Sequence, residues 1–158
     1  MSIERARAYL AARGKEDRVI EFTVSSATVE LAAQALGCQP AHIAKTMSFD
    51  CAGRTILVVA AGDVKVNNSK YKQRFGTKAK MLSHDEVEPR VGHGVGGVCP
   101  FGVNKGVEVY LDESLRRFDT VYPAAGNAAS AVRLTPDELA ALLPGAQWVD
   151  VCKEPEHE

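Results

Sequence analysis

Three groups of residues in this 158-residue chain have the types and spacing to do chemistry. The first centres on Lys45. In KTMSFD, residues 45 to 50, strand periodicity puts Lys45, Met47 and Phe49 on one face and Thr46, Ser48 and Asp50 on the other. An ammonium sharing an apolar face must find an anion, reach the rim or shed its proton, because an unpaired buried charge costs several kcal/mol, roughly. A lysine so placed suits an anionic ligand; the alternative is a stem that simply reaches solvent from the first strand position.

The second group is VGHGVGGVCPFG, residues 91 to 102, with Gly92, Gly94, Gly96, Gly97 and Gly102 close together. Backbone N–H groups without an intervening Cβ can approach an oxyanion or an ester carbonyl, and Pro100 stiffens the exit. The segment fits neither a phosphate-binding loop ending in Gly-Lys-Ser/Thr nor a strand-linked dinucleotide fingerprint, since the chain after it reads as extended. A flexible connection between strands is the structural alternative.

The third is charge. Residues 64 to 81 hold Lys65, Lys70, Lys72, Arg74, Lys78 and Lys80 and no acid, so the formal net charge of −1 hides a local +6 against about −7 elsewhere. With Tyr71 and Phe75 interleaved, the stretch suits phosphate-backbone contacts, or else forms a solvated helix face. Cys99 and His93, six residues apart, could in principle pair as thiolate and base, but no third orienting residue is evident.

The elements that must position these groups can be read in order. Residues 2 to 13 form an amphipathic helix, with Ser2 as N-cap and Gly14 as its stop; 18 to 24 read as a strand; 28 to 36 form a helix closed by Gly37. Residues 45 to 50 and 55 to 61 make a hairpin. A short basic helix spans 68 to 75, and Ser83 with Glu86 opens another that Pro89 and Gly92 end. Strands are expected at 107 to 111, 118 to 122 and about 129 to 134, a helix from Thr135-Pro136 to about Leu143, and a last strand at 148 to 152. Helices and strands do not alternate strictly, which favours a mixed α+β fold over a doubly wound parallel sheet.

Length and a 46% apolar composition fit one core, with residues 1–152 as a single domain and 153–158 as a charged tail. Near-neutral total charge excludes a protein that coats a polyanion or membrane in bulk. Cys38, Cys51, Cys99 and Cys152 lack zinc-site spacing, no run of 18 apolar residues occurs, and the N-terminus lacks a signal core, so a soluble cytoplasmic protein with reduced thiols and no metal is expected.

Lys45 in HIAKTMSF, Gly96 to Pro100 in GGVCPFG and the run AAGNAASAVRLTPDEL, residues 124 to 139, together resemble the YbaK/EbsC family of editing domains, related to the insertion domain of bacterial prolyl-tRNA synthetase. The resemblance runs from Thr28 to about Leu143. It implies an α+β fold with a mixed, mainly antiparallel sheet or partly closed barrel flanked by helices. It also implies a trans-editing deacylase that hydrolyses the ester of a small mischarged amino acid, on tRNA for proline, without metal or other cofactor. Synthetase pockets separate ligands differing by one methylene by only about 1 to 3 kcal/mol, so a second sieve is needed.

Carried over by position, the resemblance gives Lys45 the terminal phosphate or aminoacyl group. Gly96, Gly97, Val98, Cys99 and Pro100 become the segment facing the scissile carbonyl, and Thr28, Met47, Phe101, Gly102, Gly126 and Asn127 the substrate pocket. The implied partners are the acceptor end of an aminoacyl-tRNA, met by the basic stretch, and a prolyl-tRNA synthetase. Water oriented by loop backbone and the substrate's 2′-hydroxyl would attack, with no protein nucleophile. Two other readings are a non-catalytic module binding tRNA or a small molecule, and a thiol enzyme using Cys99.

Overall fold

The structure, a computed structural model, describes residues 2 to 154. Helix α1, Ser2–Ala11, is followed by the short strand β1, Val19–Glu21. Ser2, expected as the cap, is already helical, and Met1 before it lies outside the described residues. Helix α2, Val29–Leu36, starts at Thr28, whose hydroxyl accepts from the Leu31 amide, and ends on left-handed Gly37. The hairpin is β2, Ile43–Cys51, and β3, Arg54–Ala61; β4, Lys65–Val66, leads into α3, Asn68–Phe75.

Helix α4, His84–Val91, has the Ser83/Glu86 capping box and continues through Pro89 to its cap at Gly92. Pro89 therefore does not stop it, because a proline in the last turn of so short a helix removes only one intrahelical bond. Beyond the glycine loop come β5, Glu108–Asp112, β6, Tyr122–Pro123, β7, Ser130–Val132, and α5, Pro136–Ala141, opened by the Thr135/Glu138 capping box. Strands β8, Gln147–Val149, and β9, Cys152–Lys153, close the described chain.

Five strands form the main sheet in the order β6-β2-β3-β5-β8, while β1 pairs with β7 and β4 with β9 in two small sheets. The fold is α+β with a mixed, curled sheet. The long hairpin is its antiparallel part; the β2–β6, β3–β5 and β5–β8 junctions are parallel, as long crossovers allow. Strand β3 is buried along most of its length because it is covered on both faces. Val59 and Leu111 meet α1 and α5 through Ala6, Leu10 and Leu139, whereas Ile56, Val58 and Tyr110 meet α3 through Tyr71.

Two expected strands are shorter. Of 118 to 122 only Tyr122 joins β6, since Val121 exchanges backbone hydrogen bonds with Leu134 at 2.8 and 3.2 Å and Phe118 stacks edge-on against His42 with centroids 4.5 Å apart. The run 148 to 152 divides into β8 and β9, because Asp112 takes the Val151 amide at 2.9 Å and Asp150 turns out to Lys70 at 2.9 Å. Lys153, counted above with the tail, pairs opposite Lys65; residues 155 to 158 lie outside the described residues. Among the described residues no helix is long and apolar enough to cross a membrane.

Candidate functional site

Strand β2 is flanked by β3 on one side for its whole length, but on the other side its partners are interrupted. Ile43 and Ala44 pair with β6, and farther along Ser48 and Asp50 bond the 80 to 82 segment, Leu82 N to Ser48 O at 3.1 Å and Asp50 N to Lys80 O at 2.8 Å. Lys45, Thr46 and Met47 lie in the gap. Strand alternation turns the Thr46 N–H and carbonyl towards the same edge as Ser48 and Asp50, so they face the break. Its hydroxyl is buried and makes no hydrogen bond among the described residues.

That break opens into a cavity of about 410 Å³, bordered by Thr28 at the cap of α2, Val29 of α2, residues 43 to 48 of β2, Met81, Leu82, Val95, Gly96, Val98, Tyr122, Ala124, Ser130 and Ala131. The lining is mostly apolar and small. Met81 and Val95 are more than half exposed at its border, at 61% and 54%.

Lys45 borders this cavity and shares the strand face of Met47 and Phe49, as period two requires. Its ammonium donates to the Val64 carbonyl. Burial, the dominant influence, draws its pKa below the ordinary lysine value, while Asp63 nearby works in the opposite sense. Asp63 itself is forked onto Arg117 at 2.6 and 3.2 Å.

The glycine loop approaches from the other wall. Gly94 to Gly97 is a β-turn closed by the Gly97 amide on the Gly94 carbonyl at 3.1 Å, with Gly96 at φ 90° in the third position, where a type II turn favours glycine. The Gly97 N–H is thereby committed within the loop and is not the free donor the sequence suggested. The amides of Gly96 and Val98 make no backbone hydrogen bond among the described residues, and both residues border the cavity.

The other expected site residues lie elsewhere. Cys99 and Phe101 are fully buried in the main core, and Pro100 and Gly102 border a separate cavity behind the loop with Tyr9 and Leu143. Burial pushes the Cys99 thiol up to about 12, and the adjoining His93 is held below its usual range by burial, so the pair stands as neutral thiol and neutral imidazole, 3.5 Å apart. Gly126 and Asn127 do not border the first cavity but back its loop: the Asn127 carbonyl accepts from the Ser130 hydroxyl at 3.4 Å, and Ser130 is a lining residue. Thr28 and Met47 are at the wall.

The basic stretch is divided by the fold. Lys70 is tied to Asp150 and the Cys152 carbonyl, and Arg74 donates to Gln147 and lies over Tyr110, so these two staple α3 to the last strands. Lys65, Lys72, Lys78 and Lys80 are exposed, and their ammonium groups make no hydrogen bond or ion pair among the described residues. Lys80 adjoins Met81 at the cavity border. Thr46, Ser48 and Ser130 were not singled out from sequence. Thr46 and Ser48 carried the signal in their alternation with Lys45, whereas Ser130 needed the β7 fold-back.

A mixed half-barrel whose sheet breaks beside a lysine, with a glycine turn across the break, defines a pocket for a small, largely apolar group near polar backbone. The chain belongs to the aminoacyl-tRNA editing domain family, which its residues 23–142 match. It is 50% identical over 155 residues to the uncharacterized protein YwhH of Bacillus subtilis (strain 168), covering 98% of this chain and 99% of that one. A proline--tRNA ligase of Bacillus licheniformis is 31% identical over 114 residues, 72% of this chain but only 19% of the ligase. A solved structure described as a candidate trans-editing enzyme for prolyl tRNA synthetase superposes with a TM-score of 0.87 at 32% identity, covering 96% of this chain and 97% of that one.

Proposed function

We propose that the protein is a trans-editing aminoacyl-tRNA deacylase that removes a small mischarged amino acid from tRNA for proline, acting in the cytoplasm beside a prolyl-tRNA synthetase, with residues 1–152 as one editing domain. The observation that carries the reading is the juxtaposition of Lys45, the unpaired edge at Thr46 and the free amides of Gly96 and Val98 around one cavity. The likeness to proline--tRNA ligases supports the choice of tRNA.

In this reading the aminoacyl group enters the apolar pocket and Lys45 holds the terminal phosphate or the aminoacyl end by charge. Water, oriented by loop backbone and the substrate's 2′-hydroxyl, adds to the ester carbonyl. The oxyanion takes the Gly96 and Val98 amides, each worth about 3 kcal/mol if it strengthens in the transition state. Collapse expels the ribose oxygen, which takes up the proton, leaving free amino acid and intact tRNA. Cys99 does not act as nucleophile: it is buried, protonated and off the cavity.

One observation favours a second reading, a non-catalytic module: the Lys45 ammonium is engaged by Val64 rather than free. Incubation with a panel of mischarged tRNAs separates the two. The deacylase releases amino acid and leaves tRNA rechargeable, whereas a binding module retards tRNA in a salt-dependent way without release.

A further inference from the structure

The glycine loop is held from beneath by a residue that neither touches the cavity nor belongs to the basic stretch. His93 is completely buried, and its Nε2 lies 2.6 Å from the Phe101 carbonyl. A carbonyl only accepts, so Nε2 carries the proton and Nδ1 is a bare acceptor. Nδ1 is buried and makes no hydrogen bond among the described residues. The Cys99 thiol sits 3.5 Å from Nε2, on the side of the Phe101 bond.

This bond spans eight residues of chain, and Gly96 to Val98 form the crest between its ends. The base of the loop is closed independently: Arg5 of α1 donates to the Gly92 carbonyl and to Asn104 Oδ1, both at 3.1 Å, and the Asn104 amide bonds the Val91 carbonyl at 2.8 Å. Arg5 and Asn104 therefore fix where the loop starts and ends. The His93–Phe101 bond is a further tie between the two limbs, nearer the crest. A bulky apolar side chain could fill the same space, but only a donor at the Nε2 position can draw the Phe101 carbonyl inward.

We propose that His93 is a positioning residue for deacylation: by joining the two limbs of the loop it holds the Gly96 and Val98 amides at the distance an oxyanion requires. The inference rests on the deacylase reading for its catalytic half and on loop geometry for its structural half. Since the amides matter only when charge develops on the carbonyl, loosening them affects the chemical step rather than ground-state binding.

The test compares His93→Gln, whose amide nitrogen can reach the Phe101 carbonyl, with His93→Met, which fills space without a donor. With mischarged tRNA, His93→Met should lose kcat by about thirtyfold at a KM within about twofold, and His93→Gln should recover most of that loss. Hydrogen exchange at the Gly97 amide, whose bond to Gly94 closes the turn, should quicken at least about tenfold in His93→Met and not in His93→Gln. Equal kcat in the two variants, or a loss carried by KM, overturns the proposal. If the wild type itself releases no amino acid, the deacylase reading falls, while Gly97 exchange still decides the loop: unchanged protection in His93→Met overturns its structural half as well.

Discussion

Gly97 and Asn127 meet backbone to backbone: a Cβ on Gly97 would come within 2.5 Å of the Asn127 Cα and 2.6 Å of its amide nitrogen. The glycine loop and the turn before β7 are thus fitted without room for any side chain between them. Gly97→Ala should push the crest of the loop away from the cavity, costing about 1 to 3 kcal/mol of stability and at least about tenfold in turnover. Thermal unfolding and deacylation kinetics measure both; a variant with wild-type turnover would show that the loop's seat on Asn127 has no bearing on the site.

Cys99 provides a contrast within the same loop. Its thiol is buried and pushed up to about 12, so almost no thiolate exists near neutrality. Iodoacetamide under native conditions should leave deacylation unchanged, and Cys99→Ala should keep turnover within about threefold while losing about 1 kcal/mol of packing. Abolished activity in either experiment would restore the thiol-enzyme reading.

The basic residues should sort into two kinds. Lys70→Ala removes the tie to Asp150 and the Cys152 carbonyl and should lower Tm by about 2 to 4 °C with little change in tRNA affinity. Joint replacement of Lys72, Lys78 and Lys80 by glutamine should leave Tm nearly unchanged. It should also weaken tRNA binding and reduce the slope of log affinity against log salt by about 2 to 3. Measuring both variants over a salt series distinguishes these outcomes, and equal salt slopes would remove the patch from the tRNA footprint.

Acid stability should report on Glu138. Its carboxylate is held down to about 2, first by the Arg18 guanidinium and then by the Thr135 amide, from an ordinary value of 4.5. A depressed carboxyl pKa gives stability that is complete above about pH 4.5 and is lost as the pH falls towards about 2. Glu138→Gln should therefore be about 1 to 2 kcal/mol less stable at pH 7, with the gap to wild type narrowing below pH 4.5. A gap that stays constant across this window would mean that the ion pair contributes nothing.

Local signals carried much of the fold. The caps at Thr28, Ser83 and Thr135 and the glycines at 37, 76 and 92 lie where short-range hydrogen bonding and left-handed backbone demand them. The parallel junctions of the sheet were not legible, because β6 and β8 are two- and three-residue strands whose partners are chosen by tertiary packing. The alternation of β2 was legible, with Lys45 on the strand face of Met47 and Phe49. The gap beside Thr46 was invisible, since it depends on where β6 stops and the 80 to 82 segment begins. Composition marked the glycine loop as a whole but could not say that Gly96 and Val98 face the cavity while Cys99 and Phe101 face the core.

The proposed function makes this cavity the place where an aminoacyl ester is hydrolysed, with Lys45 as its electrostatic anchor. Single-turnover deacylation of labelled alanyl-tRNA for proline, with excess wild-type protein or Lys45→Ala, tests it most directly. Wild type should release amino acid at least about a hundredfold above the uncatalysed rate, and Lys45→Ala should lose most of that acceleration. Release by the two proteins at the same rate, or wild-type release no faster than the background for alanyl and other small aminoacyl esters alike, would contradict it.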